Sequence, residues 1–445
     1  MLLRSHSRTW RPLRSRVAGT IPLGRALLVA AGLAFPPVLS AQALAVAADT
    51  GTETFRCLDT TASVYPARLD DEHLIYVEQQ TVVPQRDGRI LVAGNPVWVW
   101  HDRGTGYDML ARDSLFGMVI DSTPVVRAIP SPLPGRVLNG MRAAALPDGW
   151  WMVTFADVIP AEMPKRPTVL AMWVGETDGE HWRAVRKLPV VTDSLDVTQA
   201  TALEWREGRA RLAVPFTKDH RARIVVHALD EGRWTASISD LGPVAAVALH
   251  LTPTHDLLAV VMPFQDSIPD MNSLFFFTKL PRDTVWSGKR AIVRAGDEPV
   301  LDPLFTPSSA NVLSWRRSRN GQREWDAWFT TYDEQRDSIA RPTRLATDAV
   351  EIATAAHGDD VLWATSNRAW PNPIVQVLES VNARRGARLV RQTRYRGLFG
   401  LAITHGRSVL VAAQSAATPR EASVVSMIET HTWRCLSQSG PHPAQ

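Results

Sequence analysis

The feature that most constrains the fold of this chain is a turn followed by an apolar strand, which recurs at intervals of about 50 residues. The copies read RDGRILVAG, PDGWWMVTFA, REGRARLAVPF, THDLLAVVMPF, SSANVLSWR, HGDDVLWATS and HGRSVLVAAQ, with turns at residues 87–88, 148–149, 207–208, 255–256, 310–311, 358–359 and 406–407. Self-similarity at this period is typical of β-propellers and of other repeat architectures.

Each copy belongs to a unit of four short strands. An apolar stretch precedes the turn, an apolar strand follows the second strand, and a more polar fourth strand, such as WRAVRKLP or WTASISDL, ends the unit. Strands rich in Val, Leu, Trp and Phe and bounded by Gly, Asp, Asn and Pro predict antiparallel hairpins. No segment sustains a period of 3.6 residues, so we expect few helices.

These units predict an all-β fold, a β-propeller of four-stranded antiparallel blades that closes into a ring. The copies favour seven blades. Six blades are the alternative, because the first unit, residues 74–132, is the least regular. Many of the 16 tryptophans fall inside the strands, and we expect residues such as Trp151, Trp315 and Trp363 to fill the core between blades.

The turns between the third and fourth strands share a second pattern. They read ETDGEHW, ALDEGRW, TKLPRDTVW and TTYDEQRDS, beginning at Glu176, Ala228, Thr278 and Thr330. These segments resemble degenerate copies of the Asp box, the S-x-D-x-G-x-T-W turn of sialidase-like repeat β-propellers, in which the Asp caps the turn and the Trp packs between strands. The resemblance spans most of the chain after residue 43. It implies a fold and not an activity, because these turns would lie on the face opposite the usual binding site of a propeller. The chain also lacks the evident Tyr–Glu nucleophile pair that a sialidase-like enzyme would have.

The N-terminus predicts export. Six arginines precede or begin the apolar run ALLVAAGLAFPPVLS at residues 26–40, and AQA follows it at residues 41–43. The run has about 15 residues, whereas a membrane-spanning helix needs roughly 20. We therefore predict a cleaved signal peptide at residues 1–43, with an uncleaved anchor as the alternative. Residues 44–73 would lead into the ring, residues 74–438 would form a single propeller domain, and residues 439–445 would form a tail.

Removal of the signal peptide also changes the charge of the chain. Residues 1–43 contain six arginines and no Asp or Glu, so a formal net charge of +4 becomes −2. Nucleic acid is therefore not an expected partner. No later segment is apolar enough to span a membrane. We expect an exported bacterial protein that is periplasmic or secreted.

Two cysteines, Cys57 and Cys435, lie near opposite ends of the chain. Thiols outside the cytosol tend to oxidise, so the pair predicts a disulfide that joins the ends of the ring. Two unrelated buried thiols are the alternative. The 12 histidines lack the spacing of a metal site, and we expect neither a metal ion nor another cofactor.

Strand order assigns the loops between second and third strands, and the connections between units, to one face of the ring. Arginines, aspartates and an exposed tryptophan in these segments could bind a glycan or another anionic ligand, because a guanidinium group binds carboxylates in a bidentate manner. The candidate ligand-binding residues are Arg221, Arg317, Arg319, Arg323, Arg368, Trp370, Asp193 and Asp297.

The sequence assigns no catalytic residue. We expect a recognition or scaffold module that binds a glycan, an anionic ligand or a protein partner on this face. The alternative is a glycan-active hydrolase or lyase that uses carboxylates and arginines of the same face, which would need two carboxyl groups about 5–9.5 Å apart for glycoside hydrolysis. Whether the protein is an enzyme stays open at this point, with a binding role favoured.

Overall fold

A computed structural model of the protein describes much of the chain after residue 55. The described ranges are 56–66, 74–102, 106–111, 116–120, 127–159, 168–189, 201–218, 221–242, 244–263, 272–283, 285–294, 300–306, 311–319, 324–357, 360–367, 374–380, 387–394, 397–404, 407–415 and 425–436. Within these ranges the chain forms strands and no helix, and therefore no helix that could cross a membrane. The predicted signal peptide and C-terminal tail lie outside them.

The described residues in the first half of the chain form the following strands. They are β1 (Arg56–Pro66), β2 (Leu74–Pro84), β3 (Ile90–Asp102), β4 (Gly106–Ala111), β5 (Phe116–Ile120), β6 (Arg127–Ala128), β7 (Val137–Ala145), β8 (Trp151–Ile159), β9 (Thr168–Thr177), β10 (Trp182–Lys187), β11 (Ala202–Arg206), β12 (Arg209–Lys218), β13 (Arg221–Asp230) and β14 (Arg233–Ser239).

The second half continues in the same manner. Its strands are β15 (Ala246–Leu251), β16 (Asp256–Pro263), β17 (Asn272–Lys279), β18 (Ser287–Val293), β19 (Val300–Thr306), β20 (Val312–Arg319), β21 (Glu324–Asp333), β22 (Ser338–Ile339), β23 (Thr343–Ala346), β24 (Glu351–His357), β25 (Asp360–Ser366), β26 (Ile374–Ser380), β27 (Arg388–Arg394), β28 (Gly397–Thr404), β29 (Arg407–Ser415) and β30 (Val425–Leu436).

The strands pair antiparallel in sheets, which we number in chain order. Sheet 1 contains β2 to β6, sheet 2 contains β7 to β10, sheet 3 contains β11 to β14, sheet 4 contains β15 to β18, sheet 5 contains β19 to β23, sheet 6 contains β24 to β27, and sheet 7 contains β28, β29, β30 and β1. At every turn of the recurring pattern, the strands on either side pair with each other, as the sequence predicts.

The predicted number of four-stranded blades is wrong. Five sheets have four strands, not seven or six, and sheets 1 and 5 have five strands each. In sheet 1, the long β3 pairs with β5 along one half and with β4 along the other. In sheet 5, β22 and β23 both pair with β21, and Pro342 lies between them. Proline has no N–H group for a strand ladder, which explains the interruption.

The sheets follow one another around a ring. Their first strands, β2, β7, β11, β15, β19, β24 and β28, contact each other in that order, and β28 contacts β2. The structure is therefore a closed β-propeller. Sheet 7 takes strands from both ends of the chain, because β1 pairs antiparallel with β30 along most of its length. The segment 44–73, which was predicted to lead into the ring, thus contains a strand of sheet 7.

The middle strands are apolar on both faces because each sheet packs between two others. In β12, Leu212, Val214 and Phe216 belong to a cluster that extends into sheet 2, whereas Ala213 packs with sheet 4. All four side chains are buried. Burial of about 25 cal/mol per Å² of apolar surface favours this stacking. Trp151, Trp315 and Trp363 are fully buried, which confirms their predicted place in the core.

Two of the turns between third and fourth strands are capped by an aspartate. Oδ1 of Asp178 accepts hydrogen bonds from the backbone N–H groups of Glu180 and His181, at 2.8 and 2.7 Å. Oδ1 of Asp333 accepts the equivalent bonds from Gln335 and Arg336, at 3.0 and 3.1 Å. Such bonds satisfy turn N–H groups that would otherwise lack a partner. The assignment of these turns to the Asp box stays a prediction.

Charged side chains join neighbouring sheets near the turns of the recurring pattern, such as residues 87–88 and 255–256. We call this end of each sheet its turn end. Asp256 of sheet 4 is fully buried and accepts bonds from Arg209 and Arg211 of sheet 3, at 3.2 and 2.9 Å, and Nζ of Lys279 lies 3.6 Å from it. Arg89 of sheet 1 donates 2.8 Å bonds to backbone carbonyl oxygens of sheet 2. Because a buried carboxylate is costly without partners, these cations stabilise the stacked arrangement.

The substitution Gly179→Ala tests the contact between sheets 1 and 2. Gly179 has a φ of +101°, and a Cβ atom there would lie 2.4 Å from Cγ2 of Val119. Gly232, in the equivalent turn of sheet 3, has a φ of +79° and open space around it. Both substitutions strain the backbone, but only the first forces a neighbouring sheet to move.

We therefore expect Gly179→Ala to lower the free energy of unfolding by about 1 to 3 kcal/mol more than Gly232→Ala does. Urea unfolding of the two variants measures this difference. Equal losses of stability in both variants would show that the turn of sheet 2 does not pack against sheet 1.

Candidate functional site

The structure describes only part of the predicted binding face. Arg323, Arg368, Trp370, Asp193 and Asp297 lie outside the described residues. Arg221 is the first residue of β13 and pairs in register with Lys218, and only its backbone is described. Arg317 and Arg319 lie on β20, close to its end at the predicted binding face. The described part of the candidate site is therefore centred on sheet 5. We call this end of sheet 5 the rim.

The centre of the rim is a buried carboxylate, Asp326 on β21, with a relative exposure of 4%. Its two oxygens lie 3.3 Å from Nη2 of Arg319 and 3.5 Å from Nη1 of Arg344. The backbone N–H of Asp348 donates a 3.3 Å bond to Oδ1 of the same carboxylate. Arg319 also pairs with Glu324 at 3.5 Å. These contacts fix the guanidinium groups of two half-exposed arginines at the surface.

A second pair lies nearer the axis of the ring. Arg316 donates a 2.8 Å bond from Nε to Asp302 of β19, and its Nη1 donates to the backbone carbonyl of Val350. Asp302 is on the innermost strand and has a φ of +49°. The Arg316 guanidinium also lies 5.5 Å from the ring centre of Trp325. This arginine therefore joins sheet 5 to the connection that leads into sheet 6.

Arg317 adds an aromatic contact to the rim. Its guanidinium carbon lies 5.7 Å from the ring centre of Trp328 on β21. Arginine stacks on aromatic faces through cation–π attraction and retains N–H groups for bonds in its own plane. Of the predicted site residues, Arg317 and Arg319 thus lie on one strand, with their side chains directed to different partners.

Sequence analysis missed two charged residues in the strands of sheet 2. Arg142 donates 2.7 Å bonds to the carbonyl oxygens of Thr201 and Met141, and burial lowers its pKa to about 10. Asp157 is 5% exposed and lies 3.6 Å from Arg136, and its Oδ1 has no hydrogen-bond partner among the described residues. Both residues interrupt apolar strands, in NGMRAAA and TFADVI, which is the only sequence signal that could have identified them.

A buried histidine connects three sheets near the inner strands. Nδ1 of His250 lies 2.7 Å from Glu204 of sheet 3, and Nε2 lies 3.1 Å from Oδ1 of Asn311 in sheet 5. Burial alone would lower the pKa of His250, but the Glu204 carboxylate outweighs it and raises the pKa above its usual value. The two contacts hold the imidazole ring in place on both sides.

The carboxyl groups with shifted pKa values lie at the turn ends, away from the rim. Burial acts to raise the pKa of Asp148, Asp178 and Glu334, yet hydrogen bonds from arginine, hydroxyl and backbone donors lower all three. A general acid in glycoside hydrolysis needs a raised pKa instead. The described residues also contain no group of three or more His, Cys, Asp or Glu side chains that could hold a metal ion.

Comparison with known proteins supports the fold. No protein-family model matches the sequence, and no curated protein sequence matches it. A crystal structure of a protein of unknown function from Dyadobacter fermentans aligns with a TM-score of 0.51 and 11% identity, over 85% of this chain and 99% of that one. At this identity the likeness shows a shared fold and nothing more.

Two glycan-active enzymes align less well. An α-L-arabinanase from Penicillium chrysogenum, solved with arabinobiose, has a TM-score of 0.43 at 11% identity, over 66% of this chain and 92% of its own. The endosialidase of phage phi92 has a TM-score of 0.45 at 7% identity, over 86% and 70%. These scores are too low to indicate a function. The predicted likeness of fold to sialidase-like β-propellers is confirmed by the propeller architecture.

The histidine His227 provides a pH-dependent test of how sheets 2 and 3 pack. It is 2% exposed on β13, both ring nitrogens lack a hydrogen-bond partner among the described residues, and burial lowers its pKa to about 4. An unfolded chain binds a proton at this residue near pH 6.5. Between these pH values the unfolded state holds more protons, so stability must decrease as the pH falls.

We expect the free energy of unfolding to fall by up to about 3 kcal/mol between pH 6.5 and pH 4 through His227 alone. His227→Leu should remove this part of the decrease, and His181→Leu, at a side chain that is 73% exposed, should not. Urea unfolding at a series of pH values measures both variants. The same pH dependence in the His227 variant as in the unsubstituted protein would contradict the burial of this histidine.

Proposed function

We propose that this protein is an exported recognition or scaffold module, and that it binds a glycan, another anionic ligand or a protein partner at the rim. The observation that favours binding over catalysis is the environment of Asp326. This buried carboxylate is shared by Arg319 and Arg344 and accepts a backbone hydrogen bond. Its oxygens are therefore engaged in holding arginines in place.

A hydrolase at the rim would need a different arrangement. One carboxyl group must hold a proton for the leaving oxygen, and a second must face the same bond. At the described part of the rim, Asp302 and Asp326 each bond to arginine. A glycan-active hydrolase or lyase stays the alternative, and the binding experiment below distinguishes it.

The arginines themselves suit a ligand with carboxylate or sulfate groups. Arg319 is held by two carboxylates and is 39% exposed at its side chain, so it is positioned before a ligand arrives. A pre-positioned side chain loses less conformational entropy on binding. Arg317 beside Trp328 adds an apolar surface next to a positive charge. Arg221, Arg323, Arg368, Trp370, Asp193 and Asp297 are proposed to extend this surface along the loops of the same face.

We further propose that sheets 1 and 5 count as blades, which gives seven blades in total. In each sheet one of the four expected strands is divided into two pieces that pair with the same neighbour. The division adds a strand without adding a unit to the ring. This proposal rests on the pairing alone.

Export remains a proposal based on the N-terminal sequence. The arginine-rich lead, the apolar run and the AQA segment support a signal peptide at residues 1–43. The proposed mature protein then begins at residue 44 and is located in the periplasm or secreted. Its propeller domain includes β1 within the segment 44–73 as well as residues 74–438, and a tail follows at residues 439–445. A net charge of −2 after cleavage argues against nucleic acid as a partner.

A glycan array that includes uronic acid, sialic acid and sulfated oligosaccharides tests the proposed binding face. We expect binding of an anionic glycan, a dissociation constant about tenfold or more higher for Arg319→Ala, and an intermediate value for Arg319→Lys. Arg336→Ala is the matched control, because Arg336 is an exposed arginine paired with Asp333 in a turn at the other end of sheet 5. Thermal unfolding confirms that each variant is folded.

Loss of binding in Arg336→Ala but not in Arg319→Ala would place the ligand on the turn face and overturn the proposed site. Mass spectrometry of the bound glycan after incubation gives the second readout. Shortened oligosaccharides, or unsaturated products of elimination, would identify a hydrolase or a lyase and would contradict a binding module.

A further inference from the structure

The two cysteines of the chain occupy paired positions in sheet 7. Cys57 on β1 lies directly opposite Cys435 on β30 in the antiparallel register, between the pairs Arg56–Leu436 and Leu58–Arg434. The register is regular here, and its only shift comes later, between Thr60 and Ser63. The chain has no other cysteine. A one-residue change of register would separate the two positions.

Paired positions in an antiparallel ladder have the spacing that a disulfide requires. Directly opposite residues have Cα atoms about 4.5 or 5.5 Å apart, depending on whether the pair is hydrogen-bonded. Disulfides join residues whose Cα atoms are roughly 4.4–6.8 Å apart. Both kinds of pair therefore fall within the range, and the backbone need not move to form the bond.

We propose that Cys57 and Cys435 form a disulfide that locks the strand pair by which the ring closes. The bond forms when one thiolate attacks an external disulfide, either a protein or a low-molecular-weight oxidant, and yields a mixed disulfide. The second thiolate then attacks the mixed disulfide. The two thiols lose two electrons and two protons, and the external disulfide is reduced to two thiols.

The position of the bond decides what it does. Among the described strands, only β30 pairs with β1, which makes β1 an edge strand of sheet 7. Without a covalent bond, β1 could separate from β30 while the other sheets stay folded, and sheet 7 would lose the strand from the N-terminal end. The disulfide closes a loop of 435 − 57 = 378 residues. A loop of this length strongly restricts the unfolded chain, so the bond stabilises the ring. This inference does not depend on the proposed ligand.

Peptide mapping without reduction tests the bond directly. The full chain is refolded in a glutathione redox buffer, its free thiols are blocked, and the protein is digested with trypsin. Cleavage after Arg56, Arg68 and Arg434 releases the peptides CLDTTASVYPAR and CLSQSGPHPAQ. We expect a single species that contains both peptides and that separates into them on reduction. Recovery of both as blocked thiols, or of either one linked to its own copy, would overturn the proposal.

Thermal unfolding tests the role of the bond in closing the ring. Reduction should lower the melting temperature of the unsubstituted protein by several degrees. A protein with both Cys57→Ser and Cys435→Ser should melt at the lower temperature whether or not reductant is present. If that variant fails to fold, the unsubstituted protein alone decides, because an unchanged melting temperature after complete reduction contradicts a locking role.

Discussion

The structure depends on the pairing of its first described strand with its last. Every sheet of a propeller has two apolar faces, and each face is buried only if another sheet lies against it. A row of sheets with free ends would expose one face at each end. Here β28 contacts β2, and sheet 7 is completed by β1 through its register with β30. The closed ring removes the two free faces, and the apolar middle strands of all sheets depend on this closure.

Polar contacts divide the molecule into two ends with different properties. At the turn ends, buried or half-buried charges such as Asp256 and Arg211 join one sheet to the next. Capping aspartates also hold short turns in place there. The charged groups named at the turn ends are thus engaged in contacts within the protein. At the other end, Arg319 and Arg344 are held by a carboxylate yet reach the surface. Positioned surface cations are what a binding face needs, so the rim is the better candidate for function.

Much of the fold could be predicted from the sequence because the signal is local. Turn residues such as Asp87-Gly88 and Glu207-Gly208, followed by apolar strands, identify the first hairpin of each unit. The divided strands could not be predicted. The split in sheet 1 arises because β3 extends beyond the part that pairs with β5, and its second half pairs with β4. Pro342 was visible in the sequence, but the pairing on both sides of it was not.

The site was less predictable than the fold. Arg317 and Arg319 belong to a dense run of arginines, which sequence analysis could single out, whereas Arg142 and Asp157 are isolated charges within apolar strands. Their environment is produced by contacts between distant segments, such as Arg142 with Thr201. The strand Arg56–Pro66 takes the position of the fourth strand in sheet 7, and the repeat could not identify it because the other strands of that sheet begin more than 300 residues later.

Hydrogen exchange of the native protein, followed by mass spectrometry, tests ring closure most directly. The amides of Arg56–Pro66 can be protected only if this segment is paired, because it belongs to no hairpin of its own. Closure predicts slow exchange of the alternate amides of Arg56–Pro66 that bond to Val425–Leu436, whereas the amides between them point away from that strand at the edge of the sheet and exchange faster. Exchange of Arg56–Pro66 at the rate of an unstructured peptide, with the other sheets protected, would contradict the account.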